Sequence, residues 1–75
     1  MDTDNATEIY FGKRWYHLHS EMMEWCDSNV GVGGWLNDRE NQTWLIECNF
    51  GNTTFYFLKP EDALAFKIKY LELCI

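Results

Sequence analysis

Residues 43–58, Thr-Trp-Leu-Ile-Glu-Cys-Asn-Phe-Gly-Asn-Thr-Thr-Phe-Tyr-Phe-Leu, hold two β-rich runs around one Gly-Asn pair. Aromatic and β-branched residues dominate both runs, and these types suit a pleated, half-buried surface. A glycine-first two-residue loop between such runs predicts an antiparallel hairpin closed by a type II′ turn at Gly51 and Asn52. That loop sets a register, with Phe50 opposite Thr53, Cys48 opposite Phe55 and Ile46 opposite Phe57. With Trp44 these residues make one nearly apolar face. Leu45, Glu47, Asn49, Thr54, Tyr56 and Leu58 make a mixed one. A one-residue slip would mix the two sets, so the pattern itself resists slipping.

A two-stranded hairpin is marginal in water and needs cover. The chain has 75 residues, and at that length folding buries only about 60% of the unfolded chain's surface. Four Trp, four Tyr and five Phe compensate, since each such ring buries roughly 150–250 Å². Two helices flank the hairpin. Between residues 13 and 28, Trp15, Leu18, Met22, Trp25 and Cys26 fall on one helical stripe. Asn29 and Gly31 then supply residues that tolerate the backbone just past a helix end. Pro60 fits the first position of a closing helix, and Glu61 and Asp62 complement its positive end. In that helix Ala63, Phe66, Tyr70, Leu73 and Cys74 form one stripe, while Leu64, Ile68, Leu71 and Ile75 form a second. A helix lying on a small sheet needs one stripe, so the second is a candidate for self-association.

The expected architecture is therefore α+β. Residues 1–7 read as a flexible leader and 8–75 as a single domain with the order helix–hairpin–helix (αββα), both helices on one face of an antiparallel sheet. Residues 8–11 read as a short leading strand or as an extended entry to the first helix. Residues 36–42 read as a polar connector. There are no internal repeats and no low-complexity tract.

Twelve acidic and six basic residues give a net charge of −6. That balance opposes direct nucleic-acid binding, which needs cations to neutralise phosphates, and docking on an anionic membrane. No apolar run approaches the roughly 18 residues a membrane span needs. Cys26, Cys48 and Cys74 are an odd set without paired spacing, unlike a secreted disulfide framework. The opening residues are polar and acidic, the reverse of a targeting segment. The chain reads as cytoplasmic.

No catalytic, cofactor or metal constellation emerges. The glycines at 31, 33 and 34 follow a helix, whereas a phosphate-binding loop places them before one. His17 and His19 diverge by about 200° on a helix, the wrong step for a shared metal. Cys26 stands at a helix end beside Glu24 and Asp27, surroundings that disfavour a thiolate. The acidic pairs Glu21/Glu24 and Glu61/Asp62 read as solvated faces or dipole partners. Trp35 is the exception, because it follows two glycines in an expected loop. It either caps the core or anchors a partner, since tryptophan is enriched at interface hot spots.

The succession Met-Glu-Trp25-Cys26, Gly33-Gly34-Trp35, a hairpin from Trp44 to Phe57, then Pro60-Glu-Asp-Ala-x-x-Phe66 resembles small uncharacterised proteins of tailed bacteriophages, including phages of marine cyanobacteria. The resemblance covers residues 10–70 and implies expression in an infected bacterial cytoplasm. It brings no active-site residues with it. The resulting expectation is a non-enzymatic, acidic protein-interaction module, a phage accessory protein that binds a host protein through Trp35, Leu45, Tyr56 and Leu58. Two alternatives stand beside it. One is a structural homodimer or larger assembly using Leu64, Ile68, Leu71 and Ile75. The other is an acidic mimic of nucleic acid that inhibits a DNA- or RNA-handling protein.

Overall fold

The computed structural model describes residues 3–11, 18–35, 41–49 and 51–70. A 3-10 turn at Thr3–Asn5 leads into β1 (Thr7–Phe11), followed by α1 (His19–Asn29), β2 (Gly33–Trp35), β3 (Trp44–Asn49), β4 (Asn52–Phe57) and α2 (Pro60–Lys69). The strands make one mixed sheet in the order β1-β4-β3-β2. The hairpin sits at its centre, but the expected αββα arrangement is not what forms. β1 adds antiparallel to β4, and β2 adds parallel to β3. The physical reason is the hairpin's own two edges, whose backbone groups gain partners when another strand pairs with them. Residues 8–11 thus resolve as a strand, and Gly33, Gly34 and Trp35, expected in a loop, lie in one.

The hairpin register also differs from expectation. Asn49 pairs with Asn52, Cys48 with Thr53, Ile46 with Phe55 and Trp44 with Phe57. Asn52, expected in the loop, therefore belongs to β4. Gly51 stands in the turn just before it with φ of 83°, where a left-handed backbone is cheap for glycine. Each partner moves by two residues, so both faces keep their members. The apolar pattern defined the faces, while the turn chose among registers that preserve them.

Both helices cover the same face of the sheet. From the strands, Ile9, Phe11, Trp44, Ile46, Phe55 and Phe57 enter the core; Met22, Cys26, Ala63, Phe66 and Tyr70 enter from the helices. α2 follows the expected stripe with Ala63, Phe66 and Tyr70, while Leu73 and Cys74 lie outside the described residues. Pro60 occupies its first turn with Glu61 and Asp62, and Lys67 and Lys69 occupy its last. Both ends thus complement the helix dipole. On α1 the buried positions are His19, Met22 and Cys26. Trp25, expected on the inner stripe, is half-buried with its ring edge-on to Phe66 at 5.7 Å. Trp15 lies outside the described residues.

Two polar-region expectations change. Gln42, from the expected polar connector, is buried, and Leu45, from the expected mixed face, is only 4% exposed. Leu45 stands on a central strand with Gly34 and Tyr56 directly opposite on either side. Among the described residues, no helix is long and apolar enough to cross a membrane.

Candidate functional site

α1 ends where the sequence predicts. The Val30 and Gly31 amides both donate to the Cys26 carbonyl, at 2.8 and 3.1 Å, and Gly31 adopts φ of 139°. The glycines beyond this stop let β2 approach β3 closely. A Cβ built on Gly33 would stand 2.4 Å from the Trp44 carbonyl oxygen and 2.5 Å from its indole carbons Cδ2 and Cε2. The Trp44 indole Nε1–H donates to the Gly31 carbonyl at 2.8 Å. The Thr43 amide donates to the Val32 carbonyl at 2.7 Å, and the Thr43 hydroxyl donates to the same oxygen at 3.1 Å. This lock positions Trp35 on the terminal strand of the sheet.

Trp35 is 43% exposed. By strand alternation it shares the helix-side face with Gly33, and its ring meets the His19 ring at 6.0 Å and 64°. One edge of the indole covers the buried His19 ring while the rest is exposed. His19 itself is buried and shares a hydrogen bond between Nε2 and the Thr53 hydroxyl. Thr53 Oγ1 is also 3.6 Å from Cys48 Sγ. The chain of protons runs in either direction, because the hydroxyl both donates and accepts. Thr53 is completely buried, so its hydroxyl joins α1 to the hairpin and does not meet solvent.

Burial holds the His19 pKa below its usual value of 6.5, since desolvation disfavours the imidazolium. The consequence for stability has a definite sign. The unfolded chain binds this proton first as pH falls, so the contribution is complete above about 6.5 and is lost below it, towards the lower folded value. The urea midpoint should therefore fall between pH 7.5 and about 5.5, and His19→Gln should flatten that stretch of the profile. An unchanged slope in the variant would exclude His19 as the source.

The remaining sequence-selected residues do not converge. Tyr56 and Leu58 lie on the sheet face opposite Trp35, the former half-buried and the latter exposed, and Leu45 is buried there. Burial, with Glu47 and then Glu8 nearby, pushes the Tyr56 pKa up. Leu64 and Ile68 are exposed on α2, at the other end of the sheet; Leu71 and Ile75 lie outside the described residues. The Cys26 thiol is buried and pushed strongly up, first by burial and then by Asp27 and Asp62. It is poor material for a nucleophile or a metal ligand. Among the described residues no group of three or more His, Cys, Asp or Glu side chains is placed to hold a metal. His17 lies outside them.

The sequence reading missed the His19–Thr53 pair. Its signal was the spacing of His19 to Met22 and Cys26, three and seven residues on, which matches a buried helical stripe. In the helix expected over residues 13–28, the apolar stripe counted from Trp15 placed Leu18 there instead.

No family model, no curated protein and no solved structure matches this chain. What the fold defines is a small α+β domain, a four-stranded mixed sheet with two helices.

Proposed function

We propose that this chain is a non-enzymatic protein-interaction module that docks a protein partner around Trp35. The observation that carries the reading is a large indole, close to half exposed, on a terminal strand whose position is held by β3 and by His19. A tryptophan fixed in this way loses little side-chain entropy on binding, which is what makes a good anchor. Leu45 drops out of the contact set because it is buried. Tyr56 and Leu58, on the other face, belong to a separate surface. Taken with the bacteriophage resemblance, the partner class is a bacterial host protein.

The test compares tagged wild type with Trp35→Ala in host lysate, after nuclease treatment, at low and high salt. A partner retained by wild type at high salt should bind the variant about 30-fold more weakly, the loss of about 2 kcal/mol expected for an anchoring tryptophan. The variant should still unfold cooperatively, because Trp35 is 43% exposed and stands outside the buried core cluster. Equal capture by both proteins would remove Trp35 from the interface. Binding that vanishes with added salt would favour the acidic mimic instead, since screening weakens charge-driven contacts.

A further inference from the structure

We propose that the groove between α1 and the end of α2 is a docking subsite for an arginine side chain of a basic protein partner. Its lining comes from the helix layer, and the inference does not rest on the Trp35 reading. Glu21, Glu24, Trp25 and Ser28 line it from α1. Steps of three, four and seven residues from Glu21 put them along one face of that helix. Lys69, the last residue of α2, and Tyr70, its C-cap, line it from the other helix. With these side chains in place the groove still measures about 260 Å³.

Aromatic rings beside carboxylates suit a cation. Trp25 is half-buried, so part of its indole is open to the groove, and Glu21 and Glu24 are exposed. Neither carboxylate has an ion-pair or hydrogen-bond partner among the described residues. The charge of Glu21 reaches Tyr70, whose phenol pKa is pushed up first by burial and then by that carboxylate. The groove also meets α2 at its C-terminal end, where the helix dipole favours positive charge. One cation already answers to these groups. The Lys69 ammonium lies 6.0 Å from the centre of the Tyr70 ring, at the outer limit of a cation–π contact. It pairs with neither carboxylate and does not fill the groove.

The chemistry of the lining selects arginine among cations. A guanidinium is flat, so it lies against an indole while its in-plane N–H groups donate to a carboxylate. A lysine ammonium is a hydrated point charge and stacks on nothing. A quaternary ammonium has no N–H to give Glu21 or Glu24. At longer range the net charge of −6 draws a basic partner towards the chain.

The experiment is an NMR titration of the full chain, at constant ionic strength, with N-acetyl-arginine N-methylamide and its lysine and citrulline analogues. The Trp25 indole N–H and the Lys69 and Tyr70 amides should shift saturably with the arginine probe, in the millimolar range that one side chain supports. The lysine probe should bind about fivefold more weakly, and citrulline, of the same shape without the charge, should not bind. E21Q/E24Q should weaken the arginine probe about tenfold with an unchanged circular dichroism spectrum, since both side chains are exposed. Lys69→Gln removes the resident ammonium and should strengthen binding about threefold. Lys67→Gln makes the same charge change but lines the β1 groove instead, and should leave binding nearly unchanged. Equal strengthening by both lysine variants, or shifts spread over acidic residues outside the groove, would mean bulk attraction and overturn the proposal. So would equal binding of the arginine and lysine probes, an affinity unchanged in E21Q/E24Q, or no saturable shift up to about 50 mM probe. Groove resonances that move on dilution without probe would assign the groove to a second copy, which also overturns it.

Discussion

Phe66→Ala should abolish cooperative unfolding or leave only a small part of it. Phe66 is fully buried, and its ring is the hub of the core. Ring centroids lie at 4.7 Å from Phe55, 5.0 Å from Phe57, 5.0 Å from Tyr70, 5.8 Å from Phe11 and 5.7 Å from Trp25. One side chain on α2 thus touches β1, β4 and α1. Truncating such a ring costs about 3–5 kcal/mol, from lost transfer energy and the cavity left behind. A domain of this length holds about 4–11 kcal/mol in total, so the loss is comparable with the whole. Urea titration followed by far-UV circular dichroism reads the outcome. Phe66→Leu, which keeps most of the apolar volume, should retain a sigmoidal transition. A Phe66→Ala transition within about 1 kcal/mol of wild type would mean that another residue is the hub.

Gly33→Ala should cost about 3 kcal/mol, an unusually large effect for adding one methyl group. The added Cβ meets a backbone carbonyl and the fused carbons of the Trp44 indole, and neither is the flexible end of a side chain. Relief requires β2 to move away from β3 or the indole to tilt. A tilt weakens the Nε1–H bond to the Gly31 carbonyl, which contributes about 0.5–1.5 kcal/mol. Gly34→Ala is the control. Its Cβ meets nothing within 4 Å, and its cost is backbone strain at φ of 146°, of order 1–3 kcal/mol. Denaturant midpoints and Trp fluorescence should separate the two, with an indole shift in Gly33→Ala alone. Equal losses without a spectral shift would remove the steric account of Gly33.

Both effects lie at places where elements distant in sequence meet, and that bounds what could be read beforehand. The two runs around Gly51 announce a hairpin because alternation and turn chemistry are local. The Ala63, Phe66 and Tyr70 stripe announces the buried side of α2 for the same reason. Gly31 is legible as a helix stop because its backbone preference is its own. The strand at 33–35 was not legible. The two glycines of Gly-Gly-Trp disfavour a strand, and the segment becomes one by lying against Trp44, whose ring needs the space a side chain would fill. Likewise nothing local in Thr53 announces that its hydroxyl meets His19, 34 residues earlier.

The candidate surfaces divide in the same way. The excess apolar stripe on α2 is visible in the sequence, because Leu64 and Ile68 recur at helical spacing away from the core positions. That Leu64 of this stripe lines a groove against β1 depends on α2 packing over β1 and β4, a contact made across most of the chain. Trp35 attracted notice through its glycines, yet its separation from Tyr56 and Leu58 follows from strand alternation within a sheet whose membership was not foreseen. The sequence by itself determined the local quantities: which residues of β3, of β4 and of α2 up to Tyr70 face inward, where α1 stops and α2 starts, and that a hairpin forms. Tertiary structure alone decided strand order, hairpin register and the burial of Leu45 and His19. Periodicity is a property of neighbours along the chain, whereas these follow from packing and hydrogen bonding between segments that only folding brings together.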